Sequence, residues 1–163
     1  MASRTMALNG VEDRIHVHRA SVTEAPALLG HDSMDAVVCN PPYGAPGTTM
    51  ANPSETLRIA RHQPEEGLLP WYKAARLVLK GHGRFMMVYP APRLAEALEE
   101  LRTARLEPKR IRLVHPAADR PANLVLIEAV KDARPMLRVD PPLIVREADG
   151  SDTAEIRRIY QPK

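Results

Sequence analysis

The stretch that decides the fold is a short apolar run that leads directly into two prolines: Met34-Asp35-Ala36-Val37-Val38-Cys39-Asn40-Pro41-Pro42-Tyr43. The run Met34–Cys39 predicts a buried β-strand, because a short, mostly apolar run bounded by turn signals is typical of a strand covered on both faces. Proline fixes φ and removes a backbone donor, so the strand ends here. Since open α/β sheets bind ligands at the carboxyl ends of their strands, the tetrad Asn40–Tyr43 is predicted to face a ligand crevice.

The tetrad offers two hydrogen-bond acceptors on a stiff loop. Asn40 precedes a proline, which favours extended backbone geometry, and its side-chain oxygen accepts next to the carbonyl of Pro41. Two such acceptors can hold both hydrogens of an adenine N6 amine or a glutamine amide. They also favour the pyramidal nitrogen that forms when this amine reacts as a nucleophile and a methyl group arrives on it. Tyr43 adds a ring face on which a base can stack, worth roughly 1–3 kcal/mol. The alternative interpretation is an ordinary turn.

The sequence around the tetrad resembles one family of enzymes. It is similar to the bacterial methyltransferases that modify N6 of an anticodon-loop adenine in a valine tRNA, which are small-domain class I S-adenosylmethionine-dependent methyltransferases with an NPPY motif. The similarity runs over nearly the whole chain, and the tetrad is its specific part. The supporting segments are Leu8–Arg14, Trp71–Lys80, Pro141–Gly150 and Thr153.

The resemblance implies a role for each of several residues. The implied catalytic residues are Asn40, Pro41, Pro42 and Tyr43. The implied contacts to the cofactor S-adenosylmethionine are Ser21, Val22 and Asn40, where Ser21 takes the place of a more usual aspartate. The implied substrate contacts are Tyr43 and His62, and His62 can equally be a plain surface histidine.

The resemblance also implies that a piece is missing. Family members carry a glycine-rich loop after a first strand and an acidic residue after a second, and no glycine of this sequence follows an N-terminal strand. We therefore expect one N-terminally incomplete domain over residues 1–163, without the first two strands of the family. We further expect the isolated chain to bind S-adenosylmethionine poorly and to have low activity; micromolar affinity by calorimetry would refute this expectation.

Periodicity along the chain predicts an α/β fold. Apolar residues at helical spacing predict helices over Leu68–Leu79 and Arg93–Arg105, and alternation predicts a half-exposed strand over Arg14–Val22. Two late strands, Lys109–His115 and Asn123–Val130, predict an antiparallel edge. The fold class is therefore a Rossmann-like class I methyltransferase sheet, mostly parallel with an antiparallel edge.

The net charge of +3 is distributed unevenly. Residues 1–100 hold 10 Lys and Arg against 11 Asp and Glu, whereas residues 101–163 hold 13 against 9. A basic surface of this kind can contact RNA phosphates, and Arg120 lies in a predicted loop from which it can reach one. The basic residues between positions 101 and 120 are Arg102, Arg105, Lys109, Arg110, Arg112 and Arg120.

Composition excludes several classes of protein. A single cysteine, Cys39, rules out an intramolecular disulfide and a cysteine-based zinc site, and it fits a reducing cytoplasm. No metal site is expected. No apolar run approaches the length of a membrane span and no signal-peptide core is visible, so we expect a cytoplasmic protein without a membrane.

Two questions stay open from the sequence alone. Without the missing strands, Met34–Cys39 would expose an edge, and either Arg14–Val22 pairs with it, or a second copy does in a homodimer, or the chain is a fragment. Three functions also remain: methylation of tRNA adenine N6, methylation of DNA adenine or a protein glutamine, and a non-catalytic remnant that binds RNA or a partner subunit.

Overall fold

The computed structural model describes residues 2–41 and 67–160. Two helices, a 3-10 turn and one strand come before the gap, and the other elements follow it. The helices are α1 (Ala2–Asn9), α2 (Ala25–Leu29), α3 (Leu69–Val78), α4 (Leu94–Thr103) and α5 (Ala154–Tyr160), with 3-10 turns at Val22–Glu24 and Ala91–Arg93. The strands are β1 (Met34–Cys39), β2 (Leu79–Pro90), β3 (Leu106–Ala117), β4 (Leu124–Lys131), β5 (Arg138–Val139) and β6 (Leu143–Arg146).

The strands form one six-stranded sheet in the order β1-β2-β4-β3-β5, with β6 also pairing with β3. β1 runs parallel to β2, and β5 and β6 run parallel to β3. β4 is antiparallel to both of its neighbours, β2 and β3. The predicted α/β fold with a mostly parallel sheet is confirmed, but the antiparallel strand lies inside the sheet and not at its edge.

One face of the sheet carries the main core. In β2 the buried residues Phe85, Met87 and Tyr89 alternate with the less buried Met86 and Val88, as the two-residue period of a strand requires. The buried set packs against α3 and α4, which supply most of the helical side chains of the core. Those side chains are Leu68, Tyr72, Ala75, Ala97, Leu101 and Ala104.

The opposite face is covered only at one corner among the described residues. There Ile156 of α5 packs against Val114 of β3 and Leu143 of β6 in a second, smaller cluster. Arg112 fastens this helix, because its guanidinium donates to both carboxylate oxygens of Glu155 at 2.7 and 2.8 Å. The rest of this face, toward β1, stays open and forms the groove described below.

Local features define the start of β1 and the start of α3. At the start of β1, the buried Lys131 ammonium donates to Asp32 Oδ1 and to the carbonyl of Leu79, both at 2.6 Å. The hydrogen bond from Lys131 lowers the pKa of Asp32. Before α3, Gly67 has a φ of +71°, a left-handed backbone conformation that glycine adopts without the strain of a side chain.

Two sequence predictions about strands were wrong. Residues 14–21 form turns and irregular structure, and no strand forms over Arg14–Val22. Ile15 and Val17 are 44% and 48% exposed, so the alternation that predicted a strand lacks a sheet to pair with. Met34–Cys39 does form a strand, but at the edge of the sheet, and Val38 is 79% exposed where a buried strand was predicted.

Candidate active site

The candidate site begins where β1 ends. Asn40 follows Cys39 directly and is exposed, whereas Pro41 is buried. Asn40 is therefore accessible at the carboxyl end of β1. Pro42 and Tyr43, the other two residues of the predicted catalytic tetrad, lie outside the described residues, and so does His62.

A groove of about 460 Å³ opens next to Asn40, within the size range of small-molecule sites. Its floor is the open face of the sheet. Two cross-strand rows build that floor. Val38, Met86, Glu128 and Arg110 form the first row, and Val88, Leu126 and Arg112 form the second.

The groove is apolar near Asn40 and charged at its far end. Arg110 forms an ion pair with Asp140, and Arg138 donates to the other carboxylate oxygen of Asp140 at 2.8 Å. The hydrogen bond from Arg110 is the main cause of the lowered pKa of Asp140. Glu128 faces the groove between these groups and Met86, and its carboxylate has no hydrogen bond or ion pair among the described residues. The groove can therefore take a ligand with an apolar body and a polar or cationic end.

The side chains behind β1, on the core face of the sheet, are neutral. Cys39 packs against the main core, and burial raises the pKa of its thiol to about 11, so it carries its proton at neutral pH and is a poor nucleophile. Burial also raises the pKa of Tyr72, whose hydroxyl donates to Met87 Sδ at 3.5 Å in the same core. On the groove face near Asn40, Val38, Met86 and Val88 offer apolar surface.

Ser21 and Val22 do not line this groove. Ser21 caps the 3-10 turn at Val22–Glu24: its Oγ accepts from the N–H of Thr23, and its own N–H donates to Glu24 Oε2 at 2.7 Å. Together with His18 they border a separate hollow of about 180 Å³, below the usual size of a ligand pocket. The expected cofactor contacts therefore fall into two places, with Asn40 at one and Ser21 and Val22 at the other.

Arg120 lies at the same edge of the sheet as Asn40. It is exposed in the turn between β3 and β4, and its carbonyl accepts from His115 Nδ1 at 2.8 Å. β1 and β3 run in the same direction and are three strand positions apart, so the two strands are about 14 Å apart across the sheet, and Arg120 lies further along the strand direction than Asn40. Within the described ranges the Arg120 side chain has no ion-pair partner.

The other basic residues of the predicted RNA-binding surface are paired with acids or carbonyls. Arg102 pairs with Glu107, and Arg105 with Asp132. Arg110 and Arg112 pair as described above, and Lys109 donates to the carbonyl of Arg134 at 3.1 Å. The sequence shows these basic residues but not the groups with which they pair. The predicted RNA-binding surface is therefore less available to phosphate than its composition indicates.

The sequence reasoning also missed the charged wall of the groove. Glu128 gave a usable signal, because it is the sole ionisable residue within the apolar run Leu124–Val130. Arg110 and Asp140 gave none, since their pairing depends on the parallel contact of β5 with β3. Among the residues that the structure describes, no group of three or more His, Cys, Asp or Glu is placed to hold a metal ion. No helix in the same ranges is long and apolar enough to cross a membrane.

Comparisons with known proteins support the fold but do not identify the function. No protein-family model matches the chain, and no curated protein matches it. Among solved structures, a predicted O-methyltransferase from Agrobacterium tumefaciens superposes with a TM-score of 0.72 at 24% identity, covering 97% of this chain and 69% of that one. A chain of a type I R-M system superposes with a TM-score of 0.57 at 18% identity, covering 95% of this chain and 34% of that one.

More distant matches include a 16S rRNA adenine-N1 methyltransferase from Catenulisporales acidiphilia, with a TM-score of 0.42 and 15% identity over 72% of this chain and 62% of that one. This third match is too distant to carry an argument. The chain thus spans between a third and about two thirds of the length of these three proteins. The first two superpositions show that the chain has a Rossmann-like fold of the methyltransferase type.

Proposed function

We propose that the chain transfers a methyl group from S-adenosylmethionine to an exocyclic amine, and that its substrate is adenine N6 in a tRNA. One observation carries the proposal: Asn40 is exposed at the carboxyl end of β1, at the mouth of an apolar groove, in a fold of the methyltransferase type. The cytoplasm, which the single cysteine fits, is the proposed location.

The proposed chemistry needs acceptors and no ionised base: the nitrogen would gain the methyl group as the sulfonium carbon–sulfur bond breaks, and the one proton that the methylated amine then loses would pass to water. The Asn40 side-chain oxygen and the Pro41 carbonyl accept the two hydrogens of the target amine, and these hydrogen bonds strengthen as the nitrogen becomes pyramidal and gains positive charge. The Cys39 thiol packs against the core on the other face of the sheet and keeps its proton, because burial raises its pKa to about 11. Once the target base is flipped out of its stack, it packs on the apolar groove floor of Val38 and Met86, beside the two acceptors.

The described residues do not build one continuous site for the cofactor. S-adenosylmethionine, when bound, supplies the electrophilic methyl group, and it needs a cradle for both its adenosine and its methionine ends. Ser21 and Val22 border a hollow separate from the groove of Asn40, and the capping box already uses the Ser21 side chain. We therefore keep the expectation that this chain alone binds the cofactor weakly, and assays need millimolar cofactor.

The choice of nucleic acid as substrate rests on charge. Arg120 is exposed in the turn that follows β3, at the same end of the sheet as Asn40, where its side chain can contact a backbone phosphate. The ion-paired arginines of β3 weaken this support, so RNA contact is proposed through Arg120 and not through the whole basic surface. DNA adenine and a protein glutamine amide remain the alternative acceptors, since the same two oxygens would hold either amine.

A non-catalytic role is the second candidate, and the separation of Ser21 from the groove is the observation that favours it. In that case the chain binds RNA or a partner subunit through the same sheet edge and transfers nothing. The two candidates differ in one measurable property, because methyl transfer requires the Asn40 oxygen whereas simple RNA binding through Arg120 does not.

A panel of acceptors tests the proposal. The full chain is incubated with millimolar methyl-labelled S-adenosylmethionine and with an unmodified tRNA transcript, a DNA of the same sequence, or a glutamine-containing peptide. We expect label in the tRNA, recovered as N6-methyladenosine after digestion to nucleosides, and at least tenfold less in the DNA and the peptide. Label in DNA or peptide instead would select an alternative acceptor. No label in any of them, with tRNA binding intact, would favour the non-catalytic role.

A further inference from the structure

One cross-strand row runs over the open face of the sheet from β1 to β5, with one residue from each strand. In the order of the strands its members are apolar, apolar, acidic, basic and basic. They are Val38, Met86, Glu128, Arg110 and Arg138. The first four line the groove that opens next to Asn40, so the groove floor passes from apolar to acidic to basic with distance from β1.

Glu128 is the acid of this row, and its carboxylate has no hydrogen bond or ion pair to any residue in the described ranges. Its side chain is half-buried beside Met86. The other described acid of the groove, Asp140, differs in this respect, because it accepts from both Arg110 and Arg138. A partly buried carboxylate without a donor is unfavourable. Glu128 is therefore the position on the groove floor that favours a hydrogen-bond donor on the ligand.

We propose that Glu128 accepts a hydrogen bond from the ribose 2′-hydroxyl of the target adenosine, and that this contact makes the site prefer RNA to DNA. The inference rests on the proposed function, because Asn40 and the apolar floor define where the base lies. Asn40 follows Val38 by two residues and lines the same groove. Glu128 lies two strands from Val38, about 10 Å across the sheet, a distance that an adenosine spans from its N6 amine to its ribose.

The charges along the row suit a ribonucleotide. A 2′-hydroxyl donates a charge-assisted hydrogen bond to a carboxylate, whereas a deoxyribose offers no donor at this carbon and leaves Glu128 unsatisfied. A backbone phosphate follows the ribose, and its negative charge opposes that of Glu128. Arg110 and Arg138 share the single carboxylate of Asp140, so one positive charge is left over beside Glu128 and offsets the phosphate.

Binding of three oligonucleotides to the full chain tests the inference. The first is an oligouridine with one central adenosine, and the other two carry 2′-deoxyadenosine or 2′-O-methyladenosine at that position. By fluorescence anisotropy we expect the adenosine probe to bind about tenfold more tightly than either of the others, the effect of one hydrogen bond to a charged group. Glu128→Ala should remove this preference by weakening the adenosine probe alone. Glu147→Ala is the matched control, because Glu147 is exposed after β6 and does not line the groove, and it should keep the preference.

Two results overturn the inference: equal affinity of the unmodified chain for all three probes, and a tenfold preference that survives Glu128→Ala. The first needs no variant, so the test stands even if circular dichroism shows that Glu128→Ala is misfolded. Methyl transfer to the same probes separates the inference from the proposed function. Equal transfer to adenosine and deoxyadenosine overturns the role of Glu128 and keeps the proposed function. No transfer, with the Glu128-dependent preference intact, overturns the proposed reaction and supports the ribose contact.

Discussion

Replacing Asn40 with alanine is expected to reduce methyl transfer to tRNA by about 10²–10³-fold while leaving tRNA affinity within a factor of about two. The magnitude is that of removing one preorganised hydrogen-bonding group that acts mainly in the transition state. The loss should appear in kcat and not in KM, because Asn40 is proposed to stabilise the pyramidal nitrogen more than the bound base. Urea unfolding of the variant separates any loss of stability from the loss of transfer.

Two further variants separate the acceptor from other roles of Asn40. Asn40→Asp retains an acceptor oxygen and loses the donor, so it should retain most of the transfer that Asn40→Ala loses. Asn9→Ala is the matched control: Asn9 is exposed at the end of α1, where its amide donates to the Thr5 carbonyl at 2.7 Å. It should leave transfer unchanged. Equal losses in the alanine and aspartate variants would show that the Asn40 donor, and not its oxygen, is the functional group.

The second large effect concerns the core. Leu101→Ala is expected to lower the free energy of unfolding by about 2–5 kcal/mol, because Leu101 is fully buried in α4 and its loss leaves a cavity. It belongs to the cluster in which Tyr72 and Phe85 meet edge to face at 5.6 Å. Urea unfolding followed by circular dichroism measures the change as a shift in midpoint at constant slope.

The matched control for the core is Leu8→Ala, the same substitution in helix α1. Leu8 is 77% exposed, and its change should stay within about 0.5 kcal/mol. If both substitutions destabilise the chain equally, α1 packs more tightly than described. If neither does, the face of the sheet that carries α3 and α4 is not the core of the folded protein.

The sequence predicted the elements after position 67 well, because their patterns are strong. The helical stripe of Leu68–Leu79 predicted one buried face, and in the structure that face meets the buried residues Phe85, Met87 and Tyr89 of β2. Gly81 and Gly83 lie at the start of β2, where the register between β1 and β2 shifts between Leu79 and Arg84, so these glycines have no partner in the ladder.

The errors around β1 have one cause. Burial of a strand depends on its neighbours in the sheet. The local sequence of Met34–Cys39 does not show that β1 has only one neighbouring strand among the described residues. Arg14–Val22 failed for the same reason, because alternating residues form a strand only where an edge accepts them. The position of Asn40 was predictable because a proline pair ends a strand at the ligand edge whatever the strand's neighbours are.

The claim that supports the whole account is that the Asn40 oxygen accepts a hydrogen from an exocyclic amine. Nuclear magnetic resonance of the 15N-labelled chain tests it most directly, by following the Asn40 side-chain amide during titration with an adenine-containing RNA oligonucleotide. The account predicts a shift of this signal with adenine and a much smaller one with the same oligonucleotide carrying N6,N6-dimethyladenine, which has no hydrogen to donate. Equal shifts with both oligonucleotides, or none with either while other groove signals move, would contradict it.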